Sequence, residues 1–162
     1  MSALSRRAVL ALPPAMGAAA ARAQGAPPAA APSVLTEVQS AESFAAAERA
    51  ILAGRVPVEG GIALEVPPLS ENGNSVELSV AAESPMTAED HVTAIHVLSE
   101  KNPFPRVATF HLTPRSGRAE VSTRVRLATS QTLVALAETS RGTVHRVGRN
   151  VIVILGACVE TG

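Results

Sequence analysis

Residues 121–127, with the sequence VSTRVRL, place an apolar or β-branched side chain at every second position and polar side chains between them. A period of two residues is typical of a strand that has one face buried and one face in solvent. The same alternation occurs at residues 62–66, 76–80 and 108–112. These segments are therefore predicted to be half-buried strands.

Further apolar segments continue this pattern along the chain, and turn-forming clusters separate them. The additional predicted strands are residues 92–98, 132–137, 143–147 and 151–155, and the turn clusters are residues 72–74, 102–105, 114–117, 140–142 and 148–150. About eight short strands at such close spacing are typical of an antiparallel β-sandwich. Strands and helices do not alternate, which excludes a parallel dinucleotide-binding sheet. The sequence therefore predicts an all-β fold.

One helix is predicted ahead of the strands. Between Ser40 and Ala53 the apolar residues recur at spacings of three and four, with Phe44, Ala47 and Ile51 among them. This spacing indicates an amphipathic helix, and the glycine that follows it, Gly54, is a stop signal. The polar side of the helix lacks a basic stripe, so binding to a membrane surface is not favoured.

The overall composition excludes several classes of function. The chain has 162 residues, 46% hydrophobic and 17% charged, which fits one globular domain. The 14 basic and 14 acidic side chains give zero formal charge, and only 2% of residues are aromatic, so nucleic-acid binding is not expected. Asp90 is the only aspartate and Lys101 the only lysine, which excludes paired-aspartate catalysis and a phosphate-loop lysine motif.

The first residues have the features of an export signal. Ser5 to Leu10 contain the pair Arg6-Arg7, an apolar run extends from Ala8 to Ala21, and Ala21-Arg22-Ala23 resembles a cleavage site. We therefore expect a twin-arginine signal peptide at residues 1–23, followed by a flexible Ala/Pro-rich leader at residues 24–39, and a periplasmic location for the mature chain. The apolar run is too short and too interrupted to span a membrane, and no later segment is long enough.

Cys158 is the only cysteine of the chain and lies four residues before its last residue. It has no intramolecular disulfide partner, and a cysteine-rich zinc site is excluded. The apolar strand at residues 151–155 is expected to end at Gly156, so that residues 40–155 form the sandwich domain and residues 156–162 form an arm that carries the thiol. In an extended arm, Cys158 stands about 10 Å beyond the last strand residue. The alternatives are intermolecular pairing and a buried, inert cysteine.

Other groups of residues that could form a functional site are less well supported by the sequence. The four histidines, His91, His96, His111 and His145, lack the spacing and the neighbouring carboxylates of a metal site. A hydrolase triad of Asp90, His91 and a serine lacks a Gly-x-Ser-x-Gly turn. Three arginines, 118, 124 and 126, share a strand face by parity. This face is expected to be solvated, with a docking surface for an acidic partner as the alternative.

Seven segments, in order, resemble the SoxY sulfur carriers of periplasmic thiosulfate oxidation. They are residues 72–74 (NGN), 84–87 (SPMT), 95–97 (IHV), 102–103 (NP), 107–111 (VATFH), 116–124 (SGRAEVSTR) and 134–138 (VALAE). The resemblance extends over the chain from the helix onward. It implies an immunoglobulin-like antiparallel β-sandwich, preceded here by the N-terminal helix, and it places the family's sulfur-binding thiol at Cys158.

The resemblance also implies a function and a set of partners. Members of the family carry no catalytic site or cofactor of their own and pair with a SoxZ subunit. A haem enzyme conjugates thiosulfate to the cysteine, a hydrolase releases sulfate, and a sulfane dehydrogenase oxidises the remaining sulfur. We therefore expect a non-catalytic periplasmic carrier that holds sulfur intermediates on Cys158.

The arm departs from the family pattern. Family members usually end in Gly-Gly-Cys-Gly-Gly, whereas here Gly156, Ala157 and Val159 surround the thiol and Glu160 follows. Val159 is β-branched and stiffer than glycine, and Glu160 favours the neutral thiol and repels anionic thiosulfate. The sulfur species that the arm accepts is therefore left open. The alternative function is a structural or adhesive immunoglobulin-like module that dimerises through a disulfide at Cys158.

Overall fold

A computed structural model describes residues 42–157 of the chain. Helix α1 spans Phe44–Leu52. The strands are β1 (Val58–Glu59), β2 (Ile62–Glu65), β3 (Leu69–Asn72), β4 (Val76–Ala82), β5 (Val92–Ser99), β6 (Arg106–His111), β7 (Glu120–Val125), β8 (Gln131–Thr139) and β9 (Val144–Leu155), with a 3-10 turn at Pro114–Ser116. The predicted all-β, immunoglobulin-like sandwich with one preceding helix is confirmed.

The strands form two sheets. The larger sheet has the order β1-β9-β8-β5-β6, and β3 also pairs with β9; the smaller sheet has the order β2-β4-β7. The main pairings are antiparallel, whereas the short strands β1 and β3 run parallel to β9. Strand β9 therefore organises one edge of the larger sheet and ends two residues before the last described residue.

The core lies between the two sheets, and a second apolar cluster lies under the helix. Val80, Ile95 and Leu133 are among the buried side chains that fill the space between the sheets. On the outer face of the larger sheet, Ala47 and Ile51 of α1 pack against Leu98, Val134, Leu136 and Val144. Because the sheet is covered on both faces there, β5 and β8 are nearly continuous apolar runs rather than alternating ones.

The helix is shorter than predicted. Its first residue is Phe44, because Ser43 is extended and its hydroxyl accepts a hydrogen bond from the backbone N–H of Ala46, which makes Ser43 the N-cap. Residues 40 and 41, which the prediction included, lie outside the described residues. The helix ends where predicted, since Ala53 and Gly54 both adopt positive φ angles.

Ion pairs attach the helix region to the larger sheet. Arg106 of β6 donates two hydrogen bonds to Glu42, at 2.7 and 2.9 Å, and this contact holds the pKa of the Glu42 carboxyl below its ordinary value. Arg146 of β9 donates to Glu48 at 2.8 Å. The polar side of the helix is therefore bound to the sheet in addition to its apolar side.

The predicted turn at residues 148–150 is wrong, because the chain forms one strand, β9, where two were expected. Residues 148–151 stay in antiparallel register with residues 131–134 of β8. Thr132 donates its hydroxyl to the Asn150 side chain at 2.9 Å, so a turn-forming residue is held in the ladder by a cross-strand hydrogen bond. Strands β1 and β3 were not predicted. They are only 2 and 4 residues long and largely exposed, so they show little periodicity in the sequence.

Candidate functional site: the base of the C-terminal arm

Two of the four residues predicted for the arm site are described. Gly156 and Ala157 follow β9 directly and are half-buried. Cys158 and Val159 lie outside the described residues, so the predicted sulfur-binding position is located only through its neighbour in sequence.

Three backbone hydrogen bonds connect the end of β9 to two loops. The N–H of Gly73 donates to the Leu155 carbonyl at 2.7 Å, and the N–H of Leu127 donates to the Gly73 carbonyl at 2.8 Å. The N–H of Ala157 then donates to the Leu127 carbonyl at 3.0 Å. Leu127 is fully buried in the core. We call Gly73, Leu127, Gly156 and Ala157 the arm base, because together they fasten the start of the arm to the sandwich.

Both glycines of the arm base lie against neighbouring backbone. A Cβ atom added to Gly156 would overlap the carbonyl oxygen of Ala128, well inside the 3.0 Å that such atoms keep. A Cβ atom on Gly73 would overlap the Leu127 carbonyl oxygen and lie 3.1 Å from the Ala157 nitrogen. Glycine is therefore required at both positions by close approach of the backbone.

The loop that receives Ala157 is itself held by side-chain amides. Asn102 donates to the Arg126 carbonyl at 2.8 Å and accepts from the Ala128 N–H at 2.9 Å. Gln131 donates to the Asn102 side chain at 2.9 Å and accepts from the Lys101 N–H at 2.8 Å. The loop after β7 is thus cross-linked to the loop between β5 and β6.

These supporting residues were not predicted as part of the site. Asn102 was assigned to a turn cluster and to one of the segments that carry the resemblance, and Gln131 immediately precedes a predicted strand. The sequence offers no signal for Gln131, which lies between Ser130 and Thr132. In the structure its exposure is only 5%. A buried amide requires hydrogen-bond partners, which in this protein are supplied by the adjoining loops.

An exposed apolar patch adjoins the arm base. Ile152 and Ile154 of β9 are 57% and 62% exposed, and Leu69, which is in register with Ile152, is 53% exposed. These side chains alternate with the buried Val151 and Val153. They therefore project from the outer face of the larger sheet, away from the core.

His96 and His145 lie in different environments. The imidazole of His96 lies 3.1 Å (Nδ1) from the Thr109 hydroxyl and 3.6 Å (Nε2) from Glu138. Burial lowers the pKa of His96, and the nearby Glu138 carboxylate opposes this shift. His145 contacts the Gly60 carbonyl at 2.8 Å. Within residues 42–157, no three His, Cys, Asp or Glu side chains are grouped so that they could hold a metal ion.

The predicted arginine face is partly neutralised. Arg124 forms an ion pair with Glu77 of the adjacent strand, and Arg118 lies 3.8 Å from Glu120. Both arginines are mainly in solvent. This arrangement fits the expected solvated face better than a docking surface for an acidic partner.

The remaining surface of the smaller sheet carries an open groove of about 710 Å³. Its lining includes Glu65, Ser79, Ser122 and the Glu77–Arg124 pair, and it contains no histidine. The Ser122 and Ser79 hydroxyls therefore have no imidazole in the groove to act as a general base.

Among the helices of residues 42–157, none is long and apolar enough to cross a membrane.

The fold defines a class, which is immunoglobulin-like β-sandwich domains of two sheets preceded by one helix. The family model described as "Sulfur oxidation protein SoxY" matches residues 48–158. The chain belongs to the SoxY family of sulfur carrier proteins, as the sequence resemblance predicted. A search of curated proteins returned no match.

Solved structures agree with this assignment. The sulfur carrier protein SoxY from Chlorobium limicola f thiosulfatophilum is 33% identical, with a TM-score of 0.55, and the match covers 68% of this chain and 98% of that chain. The superoxide reductase (neelaredoxin) from Ignicoccus hospitalis is 16% identical, with a TM-score of 0.52, over 58% of this chain and 80% of that chain. The second likeness shows a shared fold alone.

Proposed function

We propose that this protein is a periplasmic carrier that binds sulfur intermediates covalently on Cys158 and presents them to partner enzymes. The observation that carries the proposal is the extent of the family match, which ends at residue 158. That residue is the only cysteine of the chain. A lone thiol at the end of a sulfur carrier domain is the group best suited to hold the sulfur.

The loading step is an oxidative condensation. The Cys158 sulfur forms a bond to the outer sulfur of thiosulfate, the thiol proton passes to solvent, and two electrons pass to a haem enzyme. The product is a cysteine S-thiosulfonate. Water then attacks its sulfonate sulfur, which releases sulfate and two protons and leaves a persulfide anion on Cys158. A sulfane dehydrogenase then oxidises the remaining sulfane sulfur.

The carrier itself supplies no catalytic group in this scheme. At neutral pH only about 3% of an unperturbed thiol is thiolate, so activation is the task of the loading enzyme. The domain provides a rigid support, and residues 156–162 provide the arm that reaches the enzyme.

The partners follow from the family assignment. A SoxZ-like subunit is the proposed stable partner, and the apolar patch of Leu69, Ile152 and Ile154 offers a surface that a protein partner would cover. The haem enzyme, the sulfate-releasing hydrolase and the sulfane dehydrogenase are transient partners. They share one requirement, which is access to Cys158.

Export precedes these reactions. Residues 1–23 are proposed as a twin-arginine signal and residues 24–39 as a leader, since Arg6 and Arg7 stand just before an apolar run. The twin-arginine route carries folded proteins, so this chain can also bring a partner that has no signal of its own.

The proposal is tested by reconstitution. The purified chain and a SoxZ-like subunit are incubated with thiosulfate and the loading haem enzyme, and the intact mass of the chain is measured. The wild-type chain is expected to gain one thiosulfonate group, which a reductant removes, whereas Cys158→Ser is expected to keep its original mass. An unmodified wild-type chain in the presence of active enzyme would overturn the carrier assignment.

The same samples distinguish the alternative function. A module that uses Cys158 only to link two copies would form a dimer that reductant abolishes, and it would accept no sulfur. Electrophoresis without reductant, alongside the mass measurement, separates the two outcomes.

A further inference from the structure

We propose that Gly73 and Gly156 are positioning residues, which fix the base of the arm so that Cys158 leaves the sandwich from a defined point. This inference rests on the proposed function of Cys158. It assigns to Gly156 a role opposite to that of a flexible linker residue, because the glycine is needed for tight packing. It also brings in Gly73, which lies 83 residues away in sequence.

The first argument is the contact of Gly156. Its Cα lies so close to the Ala128 backbone that any side chain would overlap the Ala128 carbonyl oxygen. Backbone carbonyls of a well-fastened loop do not yield as a flexible side chain would, and Asn102 holds the Ala128 N–H at 2.9 Å. A larger residue at position 156 would therefore displace the arm rather than the loop.

The second argument is the continuity of the hydrogen bonds. Gly73 is bonded to Leu155 on one side and to Leu127 on the other, and the Leu127 carbonyl accepts from Ala157. These bonds tie both residues that flank Gly156 to the sandwich. Substitution of Gly73 would press against the Leu127 carbonyl and the Ala157 nitrogen. Both glycines are therefore needed for the Ala157 N–H to reach the Leu127 carbonyl.

The consequence concerns the reach of the thiol. If the arm were free from Gly156 onward, the thiol would sample a wide volume around the end of β9. With Ala157 bonded to Leu127, the chain is fixed up to the residue before Cys158. An enzyme that acts on Cys158 must then approach the loops at residues 100–105 and 126–130, and it meets the thiol at low entropic cost.

The test compares Gly156→Ala with Gly148→Ala. Gly148 lies within β9, the strand that precedes Gly156, and a Cβ atom there would meet only ordinary contacts at 3.7 Å and beyond. Exchange of the Ala157 amide hydrogen is measured by NMR in both variants and in the wild type. The wild type and Gly148→Ala are expected to protect this amide, whereas Gly156→Ala is expected to exchange about tenfold faster, the factor that corresponds to one lost hydrogen bond.

A second readout separates positioning from general destabilisation. Loading of thiosulfate by the haem enzyme is expected to be several-fold slower in kcat/KM for Gly156→Ala, while alkylation of Cys158 by iodoacetamide is unchanged. A urea titration of each variant shows whether it is folded under the assay conditions, and slower loading by a folded variant then reports the position of the thiol. Ala157→Pro, which removes the N–H donor without adding a side chain at position 156, is expected to reproduce the selective loss.

Two results would overturn the inference: an unprotected Ala157 amide in the wild-type chain, or unchanged loading in a variant that has lost the protection. If Gly156→Ala and Ala157→Pro fail to fold, the exchange of the Ala157 amide in the wild-type chain still tests the inference, because an unprotected amide refutes it. A wild-type chain that protects Ala157 but accepts no sulfur would refute the proposed function and leave the anchored arm base intact.

Discussion

At the residue scale, His96 is the group whose charge state affects the fold most clearly. It is 9% exposed, and burial lowers its pKa from the ordinary value of 6.5, against the opposing effect of Glu138. The unfolded chain therefore binds a proton at this site more readily than the folded chain does. Stability is expected to fall as the pH drops below about 6.5 and to level off below the folded-state pKa.

Urea unfolding at pH 7.5 and at pH 5.5 tests this prediction. We expect the wild type to lose more stability between these conditions than His96→Gln does, because glutamine cannot take up the proton. His145→Gln, which lies on β9 against the Gly60 carbonyl, serves as the control and is expected to retain most of the wild-type pH dependence. Equal losses in all three proteins would show that His96 does not govern the effect.

Asn102 is a second residue with a specific structural role. Its side chain joins the Arg126 carbonyl, the Ala128 N–H and the Gln131 amide. Asn102→Ala leaves these groups without a partner and is expected to reduce the free energy of unfolding by about 1–3 kcal/mol. The control, Asn74→Ala, removes an exposed amide that bonds only to Asn72 and is expected to have a smaller effect in the same urea titration.

The residue scale also shows how far sequence reasoning reaches. Cys158 was predicted as the sulfur-binding residue because it is the only cysteine of the chain, and Gly156 was predicted as the start of the arm because it follows an apolar strand. The dependence of Gly156 on Ala128 and of Ala157 on Leu127 was not predictable, since these contacts join segments about 30 residues apart. Glycine at a close backbone approach and glycine in a flexible arm look the same in one sequence.

At the element scale, helix α1 depends on its contact with the larger sheet. Ile51 is 5% exposed and packs on Leu98, Val134 and Leu136. Ile51→Ala is expected to reduce the free energy of unfolding by about 2–5 kcal/mol, through lost burial and the cavity that remains. Ile152→Ala, at a position 57% exposed, is expected to cost less than about 1 kcal/mol. Equal costs, measured by urea unfolding, would contradict the packing described.

The elements were predicted best where periodicity is strong. Strands β2, β4 and β7 keep their alternation because one face of the smaller sheet is in solvent. Strand β9 was divided in two, because Gly148 and Asn150 are turn-forming residues that tertiary pairing with β8 holds in a strand. The short strands β1 and β3 exist only through their pairing with β9, and no local signal marks them.

At the scale of the whole molecule, export is a separate and testable requirement. Arg6 and Arg7 are proposed to direct the chain to the twin-arginine route. Arg6→Lys combined with Arg7→Lys is expected to leave the precursor in the cytoplasm, because that route depends on the arginine pair. Cell fractionation and immunoblotting measure the distribution, and Arg22→Lys, near the cleavage site, is the matched control. Normal export of the double variant would refute the assignment of the signal.

The molecule as a whole combines a two-sheet sandwich with a proposed sulfur-binding residue, Cys158, that follows the last described residue in sequence. The sheets, the loops joined by Asn102 and the arm base all support the last described residue, Ala157. The fold followed from residue periodicity, whereas the sulfur-carrying function came from family resemblance, because a lone thiol does not by itself define its cargo.

The most direct test of the central claim is the mass of the C-terminal tryptic peptide, residues 150–162, which contains Cys158 and no other thiol. The peptide is taken from the loaded carrier before and after treatment with the sulfate-releasing hydrolase. The account predicts a thiosulfonate on Cys158 before treatment and a single added sulfur afterwards. A peptide that stays unmodified while the enzyme consumes thiosulfate, or sulfur found on another peptide, would contradict it.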